Sequence, residues 1–139
     1  MDMLDELYQD AAENHIPVFG CPLADAKSII ADLGDGTAAI GLNVQKIEGR
    51  QEAVELFAHE LGHYHTGTYY KLYSPLQLKC KMEYKADIWM VERLIPINRL
   101  KRAFRENCQE CWELAEYLGC SERLVLRAVQ IYRQKGLLD

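Results

Sequence analysis

The sequence predicts an α+β fold, in which a small antiparallel β-sheet packs on an amphipathic helix and a helical segment ends the chain. Two apolar runs, residues 28–32 and 37–42, flank a Gly-Asp-Gly turn, which is typical of a β-hairpin. Apolar residues then recur at helical spacing over residues 54–61 and 82–94. The last third of the chain has the residue pattern of a helix-turn-helix unit.

The predicted elements follow in the order helix, hairpin, helix, helix and helical tail. An opening helix that stops near Pro17 is indicated by small and apolar residues at helical spacing, namely Leu4, Leu7, Ala11 and Ala12. The helix after the hairpin begins near Arg50 and carries Glu52 in its first turn, in keeping with the helix dipole. We expect one compact unit with a core, residues 1–97, and a C-terminal extension, residues 98–139.

The helix after the hairpin contains a His-Glu-x-x-His pattern, formed by His59, Glu60 and His63. On an α-helix the two histidines lie one turn apart on one face and can reach the same metal ion, while Glu60 stands beside it. The opposite side of this helix carries apolar residues that would bury it and turn the histidines to a cleft, namely Val54, Phe57 and Leu61. The pattern predicts a zinc site.

Gly62 lies inside the same helix, where a glycine costs about 1 kcal/mol of helix propensity relative to alanine. This cost is explained if another stretch of backbone passes close to the helix at that point. A chance occurrence of the His-Glu-x-x-His pattern would not need this glycine. We therefore expect a close approach at Gly62 and favour a metal site over two solvated histidines on an ordinary helix.

A third ligand is expected on the next helix, because a catalytic zinc ion takes three protein ligands and leaves its fourth position to water. Glu83 and Asp87 lie one turn apart there, after enough chain for a loop and a returning helix. We expect Glu83 to complete a His₂Glu set and Asp87 to accept the free N–H of a ligating imidazole. Manganese is the alternative to zinc. A solvated helix face would instead pair with Lys79, Lys81 and Lys85.

His65 does not extend the pattern to that of the metzincins. Their motif needs a glycine and a further histidine at the positions where this chain has Thr66 and Tyr69. His65 lies about 200° around the helix from His63, so we expect it on the surface or toward the substrate rather than at the metal.

The sequence HELGHY at residues 59–64, followed by ExxAD at residues 83–87 and LIP at residues 94–96, resembles the ImmA/IrrE family of gluzincin-like metallo-endopeptidases. The resemblance covers residues 36–97 well, although Asp87 stands where asparagine is more usual. It implies that the ExxAD helix carries the third zinc ligand. It also implies a small cytoplasmic protease that cuts a helix-turn-helix repressor and so derepresses a phage, another mobile element or a stress response.

The roles expected in catalysis follow from these residues. Glu60 is the general base, which takes a proton from a water molecule that zinc has made more acidic and passes the proton to the leaving amine. An oxyanion donor is also required, and four side chains are open for this role: Tyr69, Tyr70, Tyr84 and His65.

A strand edge is expected to bind the substrate backbone in extended form, as is common beside a zinc-peptidase helix. The sequence favours the strand over residues 40–44 for this role, with Ile40, Leu42 and Val44 along its edge. The alternative is an ordinary core strand.

Composition agrees with one domain, since 139 residues with 49% hydrophobic content allow a real core and no second catalytic domain. An acidic start and the absence of a long apolar run predict neither a signal peptide nor a membrane span, so we expect a cytoplasmic protein. Five cysteines, an odd number, predict reduced thiols. A structural zinc site at Cys108 and Cys111 is less favoured, because no second CxxC follows.

The C-terminal segment predicts a fold feature rather than a DNA reader. Gly119 would make the turn between two helices and Ser121 would cap the second. A recognition surface should be basic, yet residues 109–139 hold slightly more acidic than basic side chains, and the whole chain has a net charge of −5. A nearby basic run reads as a solvated helix face; it contains Arg99, Lys101, Arg102 and Arg105. Nucleic acid is therefore not the expected partner.

Two functions of different class compete at this point. The first is a zinc metallo-endopeptidase acting on a protein regulator, and the second is a zinc-stabilised regulatory or DNA-associated binding module without turnover. The intact Glu60 favours the peptidase, because zinc retention alone would not require that carboxylate. The sequence leaves open the cleavage site, the activating signal and the oligomeric state.

Overall fold

The computed structural model describes residues 1–68 and 76–139. Within these ranges the chain forms α1 (Met3–Glu13), β1 (Val18–Gly20), β2 (Ser28–Asp32), β3 (Ala38–Leu42), α2 (Arg50–Thr66), α3 (Leu76–Leu94), α4 (Ile97–Arg105), α5 (Cys111–Leu118) and α6 (Glu122–Gln134). The α+β prediction is confirmed, as is the opening helix that ends before Pro17. The predicted elements occur in the predicted order, but the structure adds β1 between α1 and the hairpin.

The chain divides into two compact units, Met1–Met90 and Val91–Asp139, and the boundary falls within α3. The functional division into a peptidase core and an extension, placed from the sequence after residue 97, stays a prediction. None of the helices in the described ranges has both the length and the apolar character that a membrane crossing requires.

The sheet has the strand order β1-β3-β2 and is mixed. The predicted hairpin is confirmed, because β2 pairs antiparallel with β3 from Ser28 opposite Leu42 to Asp32 opposite Ala38. The prediction of a purely antiparallel sheet is wrong, because β1 pairs parallel with the other side of β3. With only three residues, β1 is too short to show an alternating pattern in the sequence.

β3 is the central strand, so the prediction that it offers a substrate-binding edge at Ile40, Leu42 and Val44 is wrong. Ile40 and Leu42 are buried and pair with strands on both sides. Val44 lies beyond the end of the strand and is 63% exposed. A continuous apolar run is typical of a strand covered on both faces, and this is the physical reason why such a run is a poor indicator of an edge.

The His-Glu-x-x-His helix α2 packs against α1, β2 and β3. Phe57 and Leu61 on its apolar face are fully buried, and the ring of Tyr8 from α1 meets the Phe57 ring edge-on with centroids 4.9 Å apart. Burying side chains of this size contributes roughly 1.5–3 kcal/mol each. This face therefore fixes α2 in the unit and leaves the histidine face turned the other way.

The expected close approach at Gly62 is confirmed. A Cβ atom built on Gly62 would lie 2.5 Å from the carbonyl oxygen and 3.1 Å from the Cα of Ala86 in α3. Ala86 is itself fully buried. The backbones of α2 and α3 thus touch at this pair, and only glycine fits there.

The unit Val91–Asp139 contains α4, α5 and α6, with contacts between α4 and α5 and between α5 and α6. The predicted turn and cap are confirmed: Gly119 ends α5 with a φ of 70°, and the Ser121 hydroxyl accepts a hydrogen bond from the Leu124 amide at 3.1 Å. Buried Tyr132 donates its hydroxyl to the Ile95 carbonyl at 2.7 Å, which ties α6 to the segment before α4.

We expect Gly62→Ala to destabilise the protein by roughly 1–3 kcal/mol, because the new methyl group would press on backbone that cannot rotate away. This sign opposes helix propensity, which favours alanine by about 1 kcal/mol. Urea unfolding measures the change. Gln51→Ala, at an exposed position of the same helix, is the matched control and should change stability by no more than about 0.5 kcal/mol. A Gly62→Ala variant as stable as the wild type would contradict the close approach.

Candidate metal centre

Three side chains from α2 and α3 converge on one point. The Nε2 atom of His59 lies 2.8 Å from Glu83 Oε2, and the Nε2 atom of His63 lies 2.9 Å from Glu83 Oε1. The two imidazole rings stand edge to face with centroids 4.8 Å apart. The structure thus brings together the three residues that their spacing in the sequence predicts as ligands.

Each imidazole is fixed from behind through its other ring nitrogen. Asp87 Oδ1 lies 2.9 Å from His59 Nδ1. His63 Nδ1 lies 3.0 Å from the carbonyl oxygen and 3.2 Å from the hydroxyl of Thr68. Because these partners accept hydrogen bonds from Nδ1–H, both Nε2 atoms are directed at the shared point. Carboxylate and carbonyl partners of this kind orient histidines that bind a metal.

The donor set fits a zinc ion. The ligand atoms of His59, His63 and Glu83 all lie within 4.8 Å of one another. Zinc bonds of about 2.0–2.1 Å in tetrahedral geometry place neighbouring ligand atoms roughly 3.3 Å apart, and the two contacts of Glu83 with the histidines, at 2.8 and 2.9 Å, are close to that spacing. Two imidazoles and a carboxylate are also the set that leaves one position for water in hydrolytic zinc sites.

Burial is graded across the cluster. The His63 side chain is 5% exposed, whereas that of Glu83 is 39% exposed. The inner side of the cluster is therefore sealed by protein, and the Glu83 side opens to solvent. Glu83 is thus the most accessible of the three side chains.

Glu60 lies beside this cluster and is buried, with 6% of its surface exposed. Its Oε2 atom accepts a hydrogen bond of 2.6 Å from the hydroxyl of Ser28, the first residue of β2. Glu60 is not one of the three converging residues. The separation of a buried carboxylate from the ligand set agrees with the role of a base rather than of a ligand.

Charge stabilises the cluster in the metal-free chain. Burial lowers the pKa of His59, but hydrogen bonds to Asp87 and then Glu83 outweigh it and raise that pKa to about 10. The hydrogen bond from His59, followed by that from His63, holds the pKa of Glu83 well below its ordinary value. A proton on His59 thus bridges two carboxylates where no metal is bound.

A cavity of about 500 Å³ opens in front of the cluster. That volume is in the range of ordinary ligand clefts. Its wall is formed by β2 with the residues before it and by α2, and the lining includes Lys27, Ser28, Ile30, Asp32, Glu60 and Thr68. The edge strand β2, rather than β3, therefore borders the cleft.

The remaining predicted residues lie elsewhere. His65 Nε2 contacts both carboxylate oxygens of Asp10, at 2.8 and 3.0 Å, and the His65 ring stacks on Trp89. His65 thus contacts α1 and α3, and it is not among the residues that line the described cavity. Tyr84 is not among the residues that line the described cavity. Tyr69 and Tyr70 lie outside the described residues.

Two residues of the site are not predictable from a sequence motif. Ser28, which binds Glu60, and Thr68, which holds His63, belong to no motif in the sequence. Thr68 follows the end of α2 closely enough to be anticipated as a cap, whereas Ser28 is brought to Glu60 by the packing of β2 on α2.

A second metal site finds no support in the part of the chain that the structure describes. There, the group formed by His59, His63 and Glu83 is the only set of three or more histidine, cysteine or acidic residues able to hold an ion. All five cysteines are free, and Cys111 Sγ lies 3.6 Å from the Glu122 carbonyl oxygen. The proposed pair Cys108 and Cys111 therefore has no third ligand among the described residues.

Comparison with known proteins identifies no relative: no family model, no curated protein and no solved structure matches the chain.

We expect the wild-type protein to retain about one zinc ion after dialysis, and Glu83→Gln to lose most of it because a neutral amide is a poor zinc ligand. Asp87→Ala should weaken zinc binding roughly 10- to 100-fold, since it removes the acceptor behind His59. Glu60→Gln is the matched control and should keep the metal. Elemental analysis with circular dichroism checks occupancy and folding. Equal zinc in all four proteins would contradict this ligand set.

The metal-free protein should lose stability as the pH rises from 6 to 10. A pKa of His59 raised to about 10 from an ordinary 6.5 means that its contribution is complete below pH 6.5 and is lost on approaching pH 10. The lowered pKa of Glu83 acts at the other end, so its contribution is present above about pH 4.5 and disappears in acid.

His59→Gln isolates this effect from the titration of other groups. In the presence of a chelator, the difference in melting temperature between wild type and His59→Gln should be larger at pH 6 than at pH 10. Thermal melts followed by circular dichroism provide the measurement. A difference that stays constant with pH would show that His59 carries no raised pKa.

Proposed function

We propose that this chain is a zinc-dependent metallo-endopeptidase of the ImmA/IrrE type, which acts in the cytoplasm on a helix-turn-helix repressor. The observation that supports it most is the combination, within one cleft, of a His₂Glu donor set with a separate buried carboxylate, Glu60, next to it. A site that only stored or structurally used zinc would be closed by a fourth protein ligand.

The chemistry divides between the ion and the chain. When bound by His59, His63 and Glu83, zinc would lower the pKa of a water toward neutrality and polarise the scissile carbonyl. Glu60 takes the proton from the attacking water and delivers it to the leaving amine. The Ser28 hydroxyl holds one Glu60 oxygen, so the other oxygen is left to face the water.

The substrate backbone is proposed to lie along β2. This strand is at one edge of the sheet and borders the cavity. Along β2, every second residue has its backbone groups bonded to β3. The Asn43 amide donates to the Lys27 carbonyl, and the Leu33 amide donates to the Thr37 carbonyl. Odd-numbered residues of β2 thus turn their backbone groups to β3.

The backbone groups of Ser28, Ile30 and Asp32 consequently point away from the sheet. An extended peptide can pair with these groups as an additional strand. Because Ser28 touches Glu60, such a peptide would pass directly beside the general base. This proposal replaces the edge that the sequence suggested in β3.

Cleavage tests the proposal directly. Zinc-loaded wild type is incubated with the repressor encoded beside its gene and, separately, with a library of peptides, and products are identified by mass spectrometry. We expect one defined cut in the repressor and a consistent set of cuts in the library. Glu60→Gln should be at least about 100-fold slower while keeping its zinc, because a general base typically contributes that much or more.

Glu55→Gln makes the same chemical change on α2 at a residue that does not line the cleft, so it should keep full activity. Stoichiometric zinc in the wild type together with no cleavage of repressor or peptides would overturn the peptidase. That result would favour the zinc-stabilised binding module instead.

A further inference from the structure

The side chains of β2 that face the cleft differ in character along the strand. Residues two apart lie on the same face of a strand, so Ile30 and Asp32 project to the same side as Ser28. Ser28 reaches Glu60 on α2, and all three residues line the cavity. Along this wall of the cleft, the hydroxyl of Ser28 is followed by the apolar side chain of Ile30 and then by the carboxylate of Asp32.

The charged side chains along this wall have opposite partners at the start of β2 but not at its end, where Asp32 lies. Lys27 is neutralised by Glu52, whose two carboxylate oxygens lie 3.1 and 3.2 Å from the lysine nitrogen. Asp32 accepts a hydrogen bond from the Gly34 amide at 2.9 Å, and no cationic side chain contacts it in the described part of the chain. Among the described residues that line the cavity, Asp32 and Glu60 are the acidic side chains outside the metal cluster that no cationic side chain contacts. Glu60 is buried against Ser28, whereas Asp32 is exposed.

The spacing along the strand determines which residue of a bound peptide would lie next to the Asp32 carboxylate. Asp32 follows Ser28 by four residues, which corresponds to roughly 13 Å along an extended strand. A peptide paired with β2 therefore brings a residue about four positions from the cut bond next to Asp32. A residue about two positions from the cut bond would lie over Ile30.

We infer that Asp32 makes this site selective for a basic side chain about four residues from the cleaved bond, with an apolar side chain over Ile30 between them. This inference rests on the proposed peptidase function and names the substrate class of the same cleft. The preferred substrates are then extended segments in which an apolar and a basic residue alternate on one side of the chain. The selectivity is electrostatic and local, so it depends on one carboxylate.

The test uses a peptide that the wild type cleaves, in which each position up to five residues on either side of the cut is set to lysine, norleucine or glutamate. We expect one position, three to five residues from the cut, where lysine gives about two- to five-fold higher kcat/KM than norleucine and glutamate gives a lower value. Asp32→Asn should abolish the lysine advantage, and Asp32→Lys should transfer it to glutamate. The advantage should shrink in 0.5 M salt.

Asp35→Asn is the matched control, because Asp35 is an exposed carboxylate of the same hairpin that does not line the cavity. It should leave the lysine preference as in the wild type. A second readout avoids turnover: with Glu60→Gln, fluorescence anisotropy should give two- to five-fold tighter binding of the lysine peptide. Adding Asp32→Asn to Glu60→Gln should remove that difference.

The outcomes distinguish the role of Asp32 from the proposed peptidase function. Cleavage with no lysine preference, or with a preference that survives Asp32→Asn, overturns the role of Asp32 and leaves the peptidase standing. A preference removed equally by Asp35→Asn also overturns it, because the effect would then come from overall charge. Absence of cleavage for every peptide overturns the proposed function and this inference together.

Discussion

The contact between the backbones of α2 and α3 at Gly62 and Ala86 is the constraint on which the site depends. His59 and His63 flank Gly62 within one turn, and Glu83 and Asp87 flank Ala86 in the same way. The side chains of these four residues meet at 2.8–2.9 Å beside the point where the two backbones touch. A single methyl group at Gly62 would separate the helices and draw Glu83 away from the imidazoles.

The second anchor of the site is the start of β2, which is fastened to α2 at two consecutive residues. Lys27 binds Glu52 and Ser28 binds Glu60, and these two acidic residues lie about 12 Å apart along the helix. One end of the cleft is thereby fixed against the His-Glu-x-x-His helix. The other end, at Asp32, has no such attachment to α2 among the described residues, since Asp32 bonds to the Gly34 amide instead.

The periodicity of helices made much of the site predictable from sequence. His59, His63 and Glu83 were grouped because a four-residue spacing and a returning helix put them on facing surfaces, and the cost of a glycine in a helix pointed to the contact at Gly62. Ser28 could not be found in this way, because its bond to Glu60 spans 32 residues of sequence. Strand order has the same difficulty: an apolar run predicts burial, but which neighbours cover β3 is decided by long-range pairing.

Metal-free and metal-bound forms of such a cluster can share one geometry. Where no ion is present, the proton on His59 Nε2 supplies the positive charge between Glu83 and Asp87, whereas the Nδ1 proton is directed at Asp87 in either form. In the proposed metal centre zinc would therefore compete with this proton, and lower pH would shift the competition toward the proton. A zinc ion that displaced this proton would raise the positive charge there by one and would attract the same carboxylate, Glu83, that the proton contacts.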